Sequence, residues 1–593
     1  MRRADRKART RSAGRYGRRA GLILLVAMGL LCSCDRAEEK TILRIGLPDE
    51  PRTLNIWLSG DRNTANVLSQ IYEPLYIRSP ERLEFVPWLA ADLPQFDARN
   101  RTYTVRLRKA LWSDGTPLTS ADVAFTGRLV QEFQIPRYAS KWRLVQSIET
   151  PDAATVIFHL KQPYATFLSG TLMVPIVPAH QWEPIAVQAR TSQNPLLALI
   201  NYPITQPVGS GPFRFKQQHS GNFLYLERNT HFFATGRQID GVTLGPFFDG
   251  ILFKNYANAD VGILALRKGS IDMYWWGIPA GYLKILSETP DIRVFASKKS
   301  ALYFLGFNLR RPPFDHLPLR QAVATLIDKK FIVHRILQDQ ATQMHAVVPP
   351  GNTRWYNPDV TRYGHALDRE ARIRTAYGIL SDAGYTWTLP PVDPQGRVQP
   401  ARELKRPDGT VIAPFDILTP PADYDAHRAI SGIMIQQWLR DIGLPAYARP
   451  MHFASLLEKI KSQHDFDLFI LGYGRLPLHC DYLRYFFQSS QDKPRGYNMT
   501  GYHNALYDKL AVESQNEMDA TRRRELLHRM QKIISMELPF IPLYNPYLVE
   551  AVRTDRFAGW VPMIEGIGNR WSFCRLKPRQ QDARARIERA HRQ

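Results

Sequence analysis

The hydrophobic repeat changes period partway along this chain, and that change limits the fold more than any other feature of the sequence. Before about residue 300, apolar residues alternate. TYTVRLR (102–108) and ATVIFHL (154–160) each place every second residue on one face, the period of a half-buried strand. GPFRFKQQHSGNFLYLERN (211–229) reads as two such strands joined at Ser220-Gly221-Asn222, a β-hairpin. Beyond 300 a helical period takes over. LRQAVATLIDKKFIVHRIL (319–337) predicts one helix with Pro318 at its start, and AHRAISGIMIQQWLRDIGL (426–444) predicts another ending near Gly443. ALYDKLAVESQNEM and TRRRELLHRMQKIISM predict a helix pair, with Asp519 as the cap of the second. DFDLFILGYG (465–474) lies before that pair and is apolar enough for a fully buried strand. Strand hairpins followed by alternating helices and strands predict a mixed α/β protein of several lobes. At 593 residues the chain exceeds a single core, and a norm of roughly 150 residues per domain gives two to four.

Charge enters because the formal net charge of +23 invites a nucleic-acid partner. Its distribution argues against one. Residues 1–33 hold +8 and residues 575–593 hold +5, which leaves +10 for the more than five hundred residues between. Phosphate backbones need clustered cations, and no basic run interleaved with aromatics occurs in the body of the chain. The N-terminal charge precedes LILLVAMGLLCSC, an apolar run of 13 residues, against about 20 for a membrane-spanning helix. A short anchor helix is one reading; a secretory signal peptide over 1–33 fits the basic flank better. Leu31-Cys32-Ser33-Cys34 looks like a bacterial lipobox with Cys34 as the lipidated residue, followed by an acidic tether over 34–40. Acylation at Cys34 would anchor the protein at the periplasmic face of the cell membrane. The remaining cysteines of the mature chain, Cys480 and Cys574, would meet an oxidising compartment, where they could form one disulfide. Residues 576–593 are charged and poor in apolar residues, the composition of a basic disordered tail.

Catalytic signatures are missing. The sequence has no GxSxG elbow, no HExxH, no Walker A loop and no GxGxxG. VGSGPF (208–213) holds a glycine turn too short to cradle a phosphate. His479-Cys480-Asp481 offers three metal-ligating types, yet adjacent residues on an extended chain point in alternate directions, and a polar loop after a strand explains them as well. The expectation is therefore no catalytic residue, no metal and no cofactor. Asp272–Pro279, DMYWWGIP, sets Tyr274, Trp275 and Trp276 side by side, either as core or as the wall of a pocket.

Several stretches together resemble the family 5 extracellular solute-binding proteins, the peptide-binding components of ABC importers. They are LWSDGTPLTSADVAFTGRLV (111–130), VGSGPFRF with LERNTHFF, YFLGFNLRRPPFDHLPLRQAVATLIDK, ILSDAGY, IQQWLRDIGL, NMTGYHNALYDKL and LPFIPLY, in that order over about residues 41–575. The resemblance implies a type II periplasmic-binding-protein fold, α/β, with two lobes joined by a two-strand hinge and an accessory domain. It implies lobe I over 41–85, 206–300 and 540–575, the accessory domain over 86–205 and lobe II over 301–539. It also implies a monomer that captures a peptide or peptide-like solute between the lobes and delivers it to an ABC permease with ATPase subunits. A sensory or chaperone-like lipoprotein and a secreted hydrolase with dispersed carboxylates are the alternatives.

In peptide-binding members of that family, a strand ending in Gly-aromatic is followed by an aspartate that pairs with the ligand's amino group. Gly472-Tyr473 is similar to that ending, but the aspartate's position falls at Leu476, and His479-Cys480 stands where Asp-Pro is usual. An ammonium taken out of water needs a carboxylate, so this loop departs from amine binding. Arg475 favours an anion, and Asp481 would serve an amine only in a rearranged loop. The expected ligand contacts are Tyr473 stacking on the solute, Arg475 facing it, Trp275 and Trp276 lining the cleft, and Asp481.

Overall fold

The computed structural model describes residues 40–58 and 60–579. The expected signal peptide, the expected lipid-acceptor Cys34, all but the last residue of the expected tether, and the expected tail from 580 onward lie outside the described residues. Among the described residues no helix is long and apolar enough to cross a membrane.

Twelve strands build one mixed sheet: β1 (Ile42–Leu47), β2 (Phe213–His219), β3 (Phe223–Arg228), β4 (Gly250–Asn255), β5 (Met273–Tyr274), β6 (Ile292–Lys298), β7 (Leu302–Phe307), β8 (Ala341–Gln343), β9 (Phe415–Thr419), β10 (Ala446–Pro450), β11 (Leu468–Tyr473) and β12 (Phe540–Arg553). The order is β2-β3-β4-β1-β5-β12-β7-β11-β9-β10, with β6 and β8 also on β12. β2 and β3 form the hairpin expected from the alternation. The glycine turn leading into it has a steric reason: Gly211 donates its N–H to Ile71 O at 2.8 Å, and a Cβ there would lie 2.3 Å from Gln70 O. β11 sits between β7 and β9, and Leu468 to Leu471 are all buried, as its continuous apolar run requires.

The fourteen-residue β12 serves both halves of the sheet. Its Phe540–Pro546 part pairs with β7 and β8, and Tyr547–Arg553 pairs with β6 and β5. The chain crosses between the halves a second time at 299–301, between β6 and β7. Asn545 ties the crossings together by donating to Lys299 O at 3.0 Å and Ala301 O at 2.5 Å. Buried apolar residues before 276 and after 551 form one core, whereas two others draw on residues 302–544.

A separate four-stranded antiparallel sheet runs Gln95–Asp97, Thr102–Arg106, Thr155–Leu160, Val145–Asp152. The helix Ser120–Glu132 accompanies it; Thr119 is its N-cap, and Asp122 accepts the Thr119 N–H at 2.9 Å. The helix pair at Ala505–Asn516 and Ala520–Glu537 also forms, with Asp519 accepting from Arg522 N at 2.8 Å.

The single helix expected over 319–337 is broken. Helix Leu317–Leu326 stops where Ile327 turns extended, at ψ 113°, and a short Lys329–Phe331 turn and a π-turn at Ile332–Ile336 follow. Periodicity missed this because the break is set by remote partners. Asp328 leaves the helix to cap Phe331 N–H (2.8 Å) and to pair with Arg372 (2.6 Å), and buried Lys329 donates to Met344 O at 2.9 Å. Cys480 and Cys574 are both buried as free thiols, so the structure holds no disulfide between them.

One buried charge cluster belongs to the scaffold. Asp272, wholly buried before β5, accepts from Arg44 Nη2 at 2.7 Å, from Arg44 N–H at 2.8 Å and from Arg556 Nη1 at 2.8 Å. Two arginines and a backbone donor thus surround one carboxylate and hold β1, β5 and the C-terminal segment together.

Candidate ligand cavity

A cavity of about 440 Å³ opens between the two halves of the molecule. Its first wall is helix Arg62–Leu68, started by Asp61, whose carboxylate accepts from Thr64 N–H at 2.8 Å. That helix presents Arg62, Ala65 and Asn66 to the cavity. A second wall comes from Arg137, Tyr138 and Lys141, and a third from Met563–Glu565 and Gly568–Trp571. Trp275, just past β5, lines it from below, and the loop after β11 closes it with Arg475 and Leu478.

The loop's geometry follows from Leu476. Its side chain is 4% exposed and packs in the core of the second half, and its N–H donates to Ser300 O at 2.5 Å. Pinned at the crossing between halves, Leu476 leaves exposed Arg475 to face the cavity. The Ser300 N–H in turn donates to Glu565 Oε1 at 2.6 Å. One crossing residue therefore joins the Arg475 loop to Glu565, the only carboxylate among the described residues of the cavity wall.

Charge on this wall is one-sided. Six cations, Arg62, Arg78, Arg137, Lys141, Arg475 and Arg570, face Glu565 alone. Arg570 is already engaged: its Nε lies 2.6 Å from Glu73 Oε2. Burial pushes Glu73 up to about 7 despite that partner and despite the Trp88 Nε1–H, which donates to Glu73 Oε2 at 2.8 Å. The others have weaker company. Arg62 lies over the Trp276 ring at 5.0 Å, and Arg78 lies over Phe85 at 4.2 Å while donating to Leu83 O at 2.6 Å. Burial lowers Arg78 to about 10 and, with Arg137 beside it, Lys141 to about 8. Burial also lowers Arg62; Glu550 and Glu565 oppose this, and Arg475 adds to it. Lys299 behaves alike, depressed by burial, then raised by Glu565 and lowered by Arg62 and Arg475. Asn66 Nδ2, an amide donor on the same wall, is buried without an acceptor.

The residues singled out in the sequence fall into two groups. Arg475 and Trp275 line the cavity, and Trp276 holds Arg62 from outside the lining. Tyr473 and Asp481 are placed elsewhere. The Tyr473 ring stacks on Phe486 (centroids 4.6 Å, 20° apart) and on Phe304 (6.0 Å, 9°). Asp481 pairs with Arg484 at 3.3 Å. The neighbouring Cys480 is buried and His479 half-buried: the ring is pushed down to about 4 and the thiol up to about 12, both chiefly by desolvation. His479 Nδ1 accepts the Asp481 N–H at 3.2 Å. Among the described residues no cluster of three or more His, Cys, Asp or Glu side chains is set to hold a metal ion. Arg62, Arg78, Lys141 and Glu565 carried no sequence signal. Arg62, Arg78 and Lys141 come from three separate segments and Glu565 from more than four hundred residues further on, in stretches that read as an ordinary helix start, strand end or loop.

Comparison with known proteins bears on what this architecture is. The profile of "Bacterial extracellular solute-binding proteins, family 5 Middle" matches residues 84–494. The oligopeptide-binding protein AppA of Bacillus subtilis is 24% identical over 524 residues, covering 87% of this chain and 88% of the relative. The oligopeptide-binding protein OppA of the same organism is 24% identical over 531 residues, covering 85% and 87%. Among solved structures, the periplasmic oligopeptide-binding protein TM1223 of Thermotoga maritima superposes with a TM-score of 0.73 at 21% identity, over 91% of this chain and 100% of its own. The likeness in fold is to type II periplasmic binding proteins, with two lobes around a mixed sheet. With the family profile spanning most of its length, the chain belongs to the bacterial extracellular solute-binding proteins of family 5.

Proposed function

We propose that this protein is the substrate-binding component of an ABC importer, capturing a peptide or peptide-like solute between its lobes and delivering it to a membrane permease driven by ATPase subunits. The observation that carries this reading is the cavity, walled by one half of the molecule and closed by the Arg475–Leu478 loop of the other. Residues 41–85, 206–300 and 540–575 form lobe I, 86–205 an accessory domain and 301–539 lobe II. The crossings at 299–301 and near 546 then act as the hinge, and the two-part pairing of β12 supports this. Within the site, Arg475 and Trp275 contact the solute and Trp276 fixes Arg62. Tyr473 and Asp481 brace the loop through Phe486 and Arg484.

Native mass spectrometry of the purified full chain tests capture. One small solute held per protein and released intact on denaturation is expected; cleavage of added peptides would overturn the reading in favour of a hydrolase. Lipid anchoring at Cys34 is tested separately. Cys34→Ser is expected to move the protein from the membrane to the soluble fraction, and continued membrane retention would refute the anchor.

A further inference from the structure

The cavity's charge goes beyond capture to the chemistry of what is captured. Cations brought into a cleft without matching carboxylates cost free energy unless something else neutralises them. A protein that needed them for folding would place acids beside them, as this one does at Asp272 and at Glu73. Around the cavity it does not. Arg62, Arg78, Lys141 and Arg475 have no carboxylate within ion-pair distance among the described residues. The one acidic side chain on the described wall, Glu565, acts on both Arg62 and Lys299 and also accepts the Ser300 N–H.

The cations are also spread out. Arg62 stands near Glu565 and Arg475 near Arg62, whereas Lys141 and Arg78 come from other segments of the wall. Burial depresses both Lys141 and Arg78, and a neighbouring cation adds to it for each (Arg137 and Arg354), so each has room for an incoming negative charge. The unpartnered Asn66 amide is a further donor in the same space. At about 440 Å³ the cavity lies in the lower part of the usual range of about 300–1,000 Å³ for small-ligand sites, too small for a long extended chain.

We infer that this cavity takes a small polyanion: a solute of di- or tripeptide size with two or more carboxylate or phosphate groups spaced along it. The inference rests on the reading that the chain captures its solute here. Guanidinium groups suit both anions, because their paired N–H donors match the geometry of carboxylate and phosphate oxygens. In this arrangement Arg62 and Arg475 grip one anionic group across the two halves. Lys141 and Arg78 take a second, and the exposed edge of the largely buried Trp275 borders the space between them.

Isothermal titration of the purified full chain with four probes tests it: triglutamate, triglutamine, trilysine and fructose 1,6-bisphosphate. Triglutamate is expected to bind about 100-fold more tightly than triglutamine, and trilysine to give no heat. Arg475→Gln and Arg62→Gln are each expected to weaken triglutamate about 10-fold to 100-fold, and exposed Arg402→Gln to leave it unchanged. Arg475 is itself exposed, so its variant is expected to fold, and circular dichroism checks this before titration. If triglutamine or trilysine matched triglutamate, the polyanion inference would be overturned while peptide capture stood. If the bisphosphate bound and no tripeptide did, the polyanion would stand and the peptide reading would fall. Failure of all four probes to bind would overturn both.

Discussion

Two arginine-rich regions of this protein treat charge in opposite ways. At Asp272, two guanidiniums and a backbone N–H converge on one wholly buried carboxylate. At the cavity, Arg62, Arg78, Lys141 and Arg475 surround space whose described wall holds a single glutamate, Glu565, and Glu565 acts on Arg62. The first arrangement is complete within the chain and serves to join β1, β5 and the C-terminal segment. The second is complete only with something added. The contrast separates structural from functional charge by a simple criterion: whether the counter-charge is encoded.

Substitutions at the two regions are expected to diverge. Asp272→Asn removes the anion from between two arginines and is expected to cost about 3–5 kcal/mol in urea denaturation, the usual penalty for breaking a buried pair. A loss below about 1 kcal/mol would mean that this cluster is no more structural than the cavity.

Glu550 sharpens the comparison from the opposite side, as a buried acid with little counter-charge. Its Oε2 accepts the Ile567 N–H at 2.7 Å, its Oε1 has no partner, and burial raises it to about 7. Below the ordinary value near 4.5 both folded and unfolded chains hold the proton, so Glu550 carries no penalty. As pH rises toward 7 the unfolded chain gives up a proton that the folded chain keeps, and stability falls. Glu550→Gln is thus expected to stabilise the protein at pH 8 by up to about 3 kcal/mol and much less at pH 5. Glu73, raised for the same reason, keeps its own share of the pH slope in that variant. An equal effect at both pH values would show that Glu550 is charged in the folded state.

Arg475→Gln is expected to leave unfolding stability within about 0.5 kcal/mol of the parent, since the residue is exposed and makes no ion pair among the described residues. Its effect belongs to affinity for an acidic ligand, about 1.4–2.8 kcal/mol by titration. A stability loss like that of Asp272→Asn would erase the distinction between the regions. Trp276→Leu, which removes the ring beneath Arg62, is expected to cost about 0.5–1 kcal/mol of the same affinity. An unchanged affinity would show that Arg62 needs no such support.

Much of the fold was legible because its signals are local. The 211–229 hairpin, the buried strand before Gly472 and the Asp519 cap all follow from residues within a few positions of each other. The break at Asp328 was not legible, since Arg372 and Met344 decide it from a distance. The site divides in the same way. Arg475 stood out beside Leu476 through the departure from the family's loop, and it does line the cavity. Tyr473 read as a ligand contact because an aromatic after glycine has two uses, and only packing tells them apart; here Phe486 takes its face. Arg62, Lys141 and Glu565 became a group only when the fold brought three distant segments to one wall.

The most direct measurement is a crystal structure of the full chain with triglutamate bound. Carboxylate oxygens within about 3.2 Å of the Arg62 and Arg475 guanidiniums, and a second carboxylate near Lys141 or Arg78, are the expected result. A ligand whose amino group faced Arg475, or one bound outside this cavity, would contradict it.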